Sequence, residues 1–146
     1  KMTSSEIINT AESIAVIGVS RDKKKFGNII YRELRDRNMN VFPVNPLVNE
    51  IEGFPCVPDI KSLKNIPELV IMVVKPPLTL QLIKENMKRD IKHFWLQPGA
   101  QSPEVIQFCK ENNIPFTAGK CVLMYLEPVK GIHSVHRFFN KLFGKY

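Results

Sequence analysis

Short apolar runs recur along the chain, and amphipathic stretches separate them. Five of the runs predict β-strands: Ile14–Gly18, Val41–Val44, Leu69–Val74, His93–Leu96 and Ile114–Ala118. The first is apolar on both faces, as a strand must be when helices cover both sides of its sheet. Helical spacing predicts a short leading helix from Ser4 through Ala11, and then Asn28–Arg37, Leu78–Asp90 and Ser102–Asn112. The alternation predicts an α/β fold, a Rossmann-like doubly wound parallel sheet of about five strands with helices on both faces.

The second run contains Pro43, which has no N–H to donate to a neighbouring strand. We therefore expect this strand to lie near an edge of the sheet or to leave its N–H side unpaired. The segment that follows, 45–67, is rich in Pro and Gly and predicts a loop with one short helix near Asp59–Leu63.

The composition is that of one ordinary globular domain, and we expect it to span 1–146. Of the 146 residues, 44% are hydrophobic and 24% charged. No apolar run is long enough to cross a membrane, and the first residues lack the apolar core of a secretion signal. The three cysteines share no metal-ligand spacing, which favours a reducing, cytoplasmic location and no metal site.

Positive charge is concentrated in one segment. The chain carries 21 basic and 14 acidic residues, a net charge of +7, and residues 21–37 hold seven of the basic groups and three acids. Such an excess suits an anionic partner, either a polyphosphate ligand or a nucleic acid. Nucleic-acid binding rests on charge alone, so we expect a small phosphorylated ligand, no nucleic acid and no membrane.

Ligands of doubly wound sheets bind beyond the carboxyl ends of the strands, where the strand order reverses. This rule selects the loops after the first four predicted strands. They contribute these candidate binding residues: Gly18, Val19, Ser20, Arg21 and Lys25; Val44, Asn45 and Pro46; Val74, Lys75 and Pro76; and Gln97.

The first of these loops favours a nucleotide other than NAD. An apolar strand that ends in Gly18 ahead of a helix is typical of phosphate-binding turns. The dinucleotide fingerprint has glycine where Ser20 stands, and the next glycine, Gly27, lies nine positions beyond Gly18. An NAD site also needs an acid near the end of the second strand, and residues 38–49 contain no Asp or Glu. A nicotinamide-dependent oxidoreductase is therefore a disfavoured alternative.

Together, the four loops resemble the small CoA-binding protein family. The Rossmann-like domain of this family also forms the CoA-binding half of succinyl-CoA synthetase and of related ADP-forming acyl-CoA synthetases. The resemblance runs from Ile14 to about Leu126, and its most specific part is a spaced motif: Gly18, Val19, Ser20, Lys25, Phe26 and Gly27. Valine at position 19 departs from the family's usual alanine and is expected to narrow the space over the backbone. The resemblance implies coenzyme A as the ligand.

Coenzyme A combines a 3′-phosphate, a pyrophosphate and a long pantetheine arm, and the first loop suits its phosphates. Backbone N–H groups of the loop, the Ser20 hydroxyl and the start of the following helix can hold the pyrophosphate. Lys25 and Arg21 can neutralise phosphate charge, whereas Lys23 and Lys24 are expected to be solvated.

The other loops suit the rest of the molecule. Val44–Pro46 is an uncharged end of the second strand, which avoids repelling a ribose phosphate. Val74 and Pro76 offer an apolar wall for adenine or pantetheine, and Lys75 offers a further cation. Gln97 has two interpretations: a hydrogen bond to the pantetheine amides, or a polar loop group that faces water.

Cys121 follows the last predicted strand at the same end of the sheet, where the CoA-binding family often carries a cysteine. A thiol beside the CoA thiol could form a mixed disulfide. The alternative is a buried structural cysteine, the more common state of a lone Cys. Cys56 and Cys109 are expected to be inert.

The resemblance implies a binding module more than a complete enzyme. The family's enzymes add a domain with a phosphorylated histidine and an ATP-binding partner, which we do not find in this sequence, and no nucleophile, carboxylate pair or metal constellation is evident. We expect a stand-alone module for CoA or acyl-CoA, such as a carrier, sensor or regulatory subunit, without catalytic activity of its own. The alternative is a CoA-binding subunit that acts in trans with an acyl-CoA ligase, so a ligase or a second copy is the expected protein partner.

The last residues predict a C-terminal amphipathic helix over 131–145. Ile132, Val135, Phe139 and Leu142 recur at helical spacing, with basic residues beside them. We expect this helix to cover one flank of the sheet or a dimer interface, in preference to a membrane surface.

Overall fold

A computed structural model describes residues 1–128, and it confirms the predicted α/β fold. The described residues form seven strands: β1 (Ile14–Ile17), β2 (Val41–Val44), β3 (Glu50–Ile51), β4 (Phe54–Pro55), β5 (Leu69–Met72), β6 (His93–Leu96) and β7 (Phe116–Ala118). Five of them make one parallel sheet in the order β2-β1-β5-β6-β7, and β3 and β4 pair as a separate antiparallel hairpin. This strand order is that of a doubly wound sheet.

Helices cover both faces of the sheet, as predicted. Those in the described part of the chain are α1 (Ser4–Thr10), α2 (Phe26–Asp36), α3 (Pro76–Asn86) and α4 (Pro103–Glu111), with short 3₁₀ turns at Ile60–Ser62 and Val122–Tyr125. Alternate residues of a strand point to opposite faces. In β1, Ile14 and Val16 pack in the core with α1 and α2, whereas Ala15 and Ile17 pack in the core with α3 and α4.

Strand β2 is an edge strand of the sheet, which confirms the expectation from Pro43. Its inner side pairs with β1, and its outer side meets only a short stretch of chain at Val57. The Val57 N–H donates to the Pro43 carbonyl at 3.3 Å. Proline therefore occupies a position where no N–H is required.

Several element ends differ from the predicted ones for local reasons. β1 ends at Ile17, one residue early, because Gly18 turns the chain away from the sheet with φ of +103°. α3 begins at Pro76, because proline is accepted in a first helical turn that needs no N–H donor. It ends at Asn86, where the Arg89 N–H closes a tighter turn onto the Asn86 carbonyl.

The β3–β4 hairpin is an addition to the predicted architecture. Each of its strands has two residues, too few to show an alternating pattern in the sequence. The helix predicted near 59–63 is the 3₁₀ turn Ile60–Ser62, which the Asp59 carboxylate caps through the Ser62 N–H at 3.0 Å.

The predicted helix over 131–145 lies outside the described residues, and the single domain over 1–146 stays a prediction. None of the helices in residues 1–128 combines the length and the apolar character needed to cross a membrane.

Candidate functional site

The strand order reverses between β1 and β5. From β1 the chain moves outward to β2, and it later crosses back to β5 on the other side of β1. The loops that follow β1 and β5 therefore diverge and leave a crevice at the carboxyl ends of both strands, where ligands of such sheets bind. We call it the switch-point crevice, formed by residues 18–21 and 73–76.

Gly18 is required at the floor of the switch-point crevice. Its φ of +103° is a conformation that residues with a side chain rarely adopt. A Cβ atom at this position would also lie 2.5 Å from the carbonyl oxygen of Val73, in the loop after β5. Both the conformation and the close approach of the two loops exclude other residues.

Gly27, in the first turn of α2, lets this helix pack directly on the crevice. A Cβ atom there would overlap the Gly18 carbonyl oxygen. The residue before α2 is Lys25, and its side chain does not cap the helix. Among the described residues, the N–H groups of Gly27 and Asn28 donate to no protein acceptor. The positive end of an 11-residue helix is therefore directed at the crevice.

The loop after Gly18 has free donors and occupied acceptors. Within residues 1–128, the N–H groups of Val19, Ser20 and Arg21 donate to no protein acceptor. The carbonyls of Val19 and Ser20 accept hydrogen bonds from two side-chain amides, Asn45 Nδ2 and Asn28 Nδ2, each at 2.7 Å. The Ser20 hydroxyl accepts from the Asp22 N–H at 2.9 Å, which leaves its own proton to donate.

The Val19 side chain lies in the hydrophobic core and is fully buried. It therefore does not narrow the space over the backbone, and the expectation drawn from the valine is wrong. The identity of this side chain is therefore a matter of packing in the core.

Exposed lysines supply uncommitted positive charge near the crevice, and Lys75 is one of them. Lys23, Lys24 and Lys25 are exposed, and their side chains form no ion pair among the described residues. Arg21 is also exposed, but its Nε donates to the Glu50 carbonyl at 3.2 Å, which directs it toward the β3–β4 hairpin. The other arginines of the basic segment are ion-paired with acids: Arg32 and Arg35 with Glu52, and Arg37 with Glu33.

A cleft of about 590 Å³ opens beside the crevice, between the loop after β2, the turn at 58–61 and α3. Its lining includes the predicted residues Gly18, Val44, Asn45, Pro46 and Val74. The connection from β2 to β5 consists of a hairpin and a 3₁₀ turn in place of a long crossover helix, so this face of β1 and β2 stays open. The sequence analysis did not select the other residues of the lining, which include the apolar Ile17, Leu47, Ile60, Leu78 and Leu82 and the charged Asp59, Lys61, Glu85 and Arg89.

Lys75 and Pro76 lie where the loop after β5 enters α3. Lys75 is exposed and precedes the helix, and Pro76 is its first residue. The Thr79 side chain donates to the Val74 carbonyl at 3.2 Å, and the Thr79 N–H donates to the Lys75 carbonyl at 2.9 Å. The start of α3 is thereby fixed at the rim of the crevice.

Gln97 is 2% exposed, so the interpretation of a polar group that faces water is wrong. Its Oε1 accepts from the Val122 N–H at 2.7 Å, and its Nε2 lies 3.5 Å from Cys121 Sγ. Gln97 therefore joins the loop after β6 to the segment after β7. Cys121 is 6% exposed and packs in the core, the environment of a structural cysteine, and its redox role stays a prediction.

The other two thiols are buried as well. Burial raises the pKa of Cys109 to about 11 and also raises the pKa of Cys56. Both thiols are therefore protonated at neutral pH, which favours the expected lack of reactivity.

Comparison with known proteins identifies a family. The family model described as "CoA binding domain" matches residues 12–127. The chain is 28% identical over 139 residues to an ADP-forming acetate–CoA ligase of Methanocaldococcus jannaschii, which covers 94% of this chain and 20% of the ligase. It is 26% identical over 130 residues to the uncharacterized protein YneT of Bacillus subtilis, which covers 89% of this chain and 91% of that protein.

The fold is shared with solved structures. A conserved hypothetical protein from Pyrococcus furiosus is 35% identical, with a TM-score of 0.72 and coverage of 76% of this chain and 96% of that one. The chain spans about a fifth or less of the length of the curated ligases that it matches.

Proposed function

We propose that this chain, which belongs to the CoA binding domain family, binds coenzyme A or an acyl-CoA in the switch-point crevice. The observation that carries the proposal is that three features meet at the carboxyl ends of the strands. Free loop N–H groups and the open start of α2 suit a pyrophosphate, unpaired lysines suit its charge, and the apolar cleft beside them suits a base.

The phosphates belong at the loop after β1 in this proposal. The N–H groups of Ser20 and Arg21 and the Ser20 hydroxyl are free to donate to phosphate oxygens. Lys25 stands next to the first turn of α2 and adds a mobile positive charge. Donors from the backbone with one cation nearby are a recurrent design of phosphate sites.

The adenine base belongs in the cleft beside the crevice. The walls at Val44, Pro46 and Val74 are apolar, and the volume of about 590 Å³ is sufficient for a nucleoside. Four charged side chains also line this cleft: Asp59, Lys61, Glu85 and Arg89. Asp59 Oδ1 accepts from the Ser62 N–H and hydroxyl, and Glu85 Oε2 accepts from Gln81 Nε2. In this proposal the two cations meet a phosphate on the ribose.

The pantetheine arm then leads past Val74–Pro76 toward the loops after β6 and β7. Gln97 offers little to it through Oε1, which the Val122 N–H occupies, and more through Nε2. Cys121 adjoins Gln97, so we keep both residues as a proposal for the thiol end of the site.

A binding module is the function class that we favour, as a single domain over 1–146. YneT and the P. furiosus protein support it, because this chain covers 91% and 96% of their lengths. Similarity to a ligase over 94% of this chain supports the second candidate, a CoA-binding unit that serves a ligase activity in trans. Three unpaired cysteines in the described residues suit a reducing cytoplasm.

Calorimetry with a set of nucleotides tests the proposal. We expect coenzyme A to bind about tenfold more tightly than dephospho-CoA, because one charge-assisted phosphate contact is worth about 1.4 kcal/mol or more. NAD, which has no pantetheine arm and meets no acid at the end of β2, should bind more weakly still. Tighter binding of NAD than of CoA would overturn the proposal.

Replacing Lys25 by alanine is expected to weaken CoA binding about tenfold, since it removes a positively charged group that contacts a phosphate. The matched control is Lys24→Ala, which makes the same change of charge in the same exposed loop and should alter the affinity by less than about twofold. Isothermal titration at two salt concentrations measures both. If the two variants bind CoA with equal affinity, Lys25 is not in the site. If Lys25→Ala weakens the binding of CoA and of dephospho-CoA by the same factor, Lys25 contacts the pyrophosphate and not the 3′-phosphate.

A further inference from the structure

We infer that Asn28 and Asn45 are positioning residues that hold the loop 18–21 in its anion-binding conformation. Asn28 was not selected by the sequence analysis, and Asn45 was selected as a direct contact of the ligand. The inference rests on the proposed function. It adds two side-chain hydrogen bonds that fix the backbone of the phosphate-binding loop.

The two side chains reach the loop from opposite sides. Asn28 lies in the first turn of α2 and donates to the Ser20 carbonyl, and Asn45 follows β2 and donates to the Val19 carbonyl. Both distances are 2.7 Å, and Asn28 is fully buried. Two consecutive carbonyl groups are thus drawn toward the protein interior.

The planar peptide bond converts these contacts into a direction for the donors. In a trans peptide, the C=O of one residue and the N–H of the next point in opposite directions. A fixed Val19 carbonyl therefore sets the Ser20 N–H, and a fixed Ser20 carbonyl sets the Arg21 N–H. These are N–H groups that donate to no acceptor within residues 1–128. The asparagines thereby turn both donors away from the side to which the carbonyls are bound.

The orientation of each amide is itself fixed, so the donor end faces the loop. Arg32 Nε donates to Asn28 Oδ1 at 2.7 Å, and the Leu47 N–H donates to Asn45 Oδ1 at 2.8 Å. A flipped amide would place an oxygen against a carbonyl oxygen in both cases. The loop therefore does not have to be ordered by the ligand when it binds, which lowers the free-energy cost of binding.

The test compares a ligand that has the pyrophosphate with one that lacks it. Asn28→Ala and Asn45→Ala should each weaken CoA binding about tenfold, because the loop must then be ordered by the ligand. Asn28 does not line the cleft, so Asn28→Ala should change the affinity for adenosine 3′-monophosphate, a ligand of the cleft, by less than about twofold. Asn45 also lines the cleft, so Asn45→Ala should weaken CoA binding more than it weakens binding of this nucleotide. Calorimetry measures the first ligand, and NMR titration the second, weaker one.

Asn9→Ala is the matched control. Asn9 also holds backbone carbonyls, those of Ser5 and Tyr125, at 2.7 and 2.8 Å, but it lies on α1. Its replacement should lower the unfolding free energy and leave the ratio of the two affinities unchanged. If an alanine variant does not fold, Asn28→Ser or Asn45→Ser takes its place under the same criteria, because the short hydroxyl group does not reach the carbonyl.

The outcomes separate the two proposals. Wild-type protein that fails to bind CoA defeats the proposed function. Wild-type protein that binds CoA, with variants that bind it equally well, defeats only the inference. An equal loss for both ligands would also defeat it, because the asparagines would then act on the cleft and not on the pyrophosphate loop.

Discussion

Replacing Gly18 by alanine is expected to abolish measurable CoA binding and to lower the unfolding free energy by about 2–6 kcal/mol, the combined size of backbone strain and overpacking. The strain arises from the φ of +103°, and the overpacking from a Cβ atom 2.5 Å from the Val73 carbonyl oxygen. This neighbour is backbone and cannot rotate away as a side chain would. Relief requires β1 and β5 to separate where the switch-point crevice opens, which moves the donors of the loop.

Gly53→Ala is the control for conformation alone. Gly53 has a φ of +88° in the hairpin turn, and no atom lies within 4 Å of the position of its Cβ. Its replacement should lower the unfolding free energy by about 1 kcal/mol and leave CoA binding intact. Urea unfolding and calorimetry measure both variants. A Gly18→Ala protein as stable as Gly53→Ala, and still able to bind CoA, would show that the close approach of the two loops is not needed.

Gly18 also shows which part of the site can be predicted from the sequence. An apolar strand that ends abruptly in glycine ahead of a helix identifies the loop, and parallel topology places the loops after β1, β2, β5 and β6 at one edge. Five of the candidate residues accordingly line a single cleft: Gly18, Val44, Asn45, Pro46 and Val74. These predictions depend only on where strands end, which hydrophobic pattern and turn residues define well.

The hydrogen-bond partners of individual side chains could not be predicted from the sequence. Gln97 was assigned to the ligand or to water, and its Oε1 instead bonds to the Val122 N–H, 25 residues away. Asn45 was assigned to the ligand, and its Nδ2 bonds to the Val19 carbonyl, 26 residues away. Amide side chains form hydrogen bonds with any backbone group that the fold brings near, and no local pattern records that partner.

The cleft could not be predicted from the sequence either. Its existence depends on the β3–β4 hairpin, which replaces a crossover helix between β2 and β5. The hairpin is attached to α2 by Arg35, whose guanidinium lies 4.9 Å from the Phe54 ring centre and pairs with Glu52 at 3.2 Å. A run of basic residues indicated an anionic ligand, yet Arg35 contributes to the fold. Within residues 1–128, three arginines of that run are ion-paired and Arg21 donates to the Glu50 carbonyl, so charge alone overstated the site.

Acidification from pH 7 to pH 4.5 is expected to lower the unfolding free energy by about 2 kcal/mol through His93, after allowance for its partial exposure. Burial lowers the pKa of His93 to about 4, from an ordinary value of 6.5. The unfolded chain therefore takes up the proton first. Stability is complete above pH 6.5 and is lost as the pH falls from 6.5 toward 4.

His93→Gln isolates this contribution, because the Gln amide can still reach Thr117 Oγ1, which lies 2.8 Å from His93 Nε2. Urea unfolding of both proteins between pH 7 and pH 4.5 should give a flatter profile for the variant. The pKa of Glu68 is lowered by hydrogen bonds from the Glu12 N–H and from Lys92, so its contribution is lost only below about pH 4.5, and it is common to both proteins. Since every other titrating group cancels in the difference, identical profiles would mean that His93 is protonated equally in the folded and unfolded states. A ring that water reaches freely would behave in that way, and the partial burial of His93 and its contact with Thr117 Oγ1 argue against it.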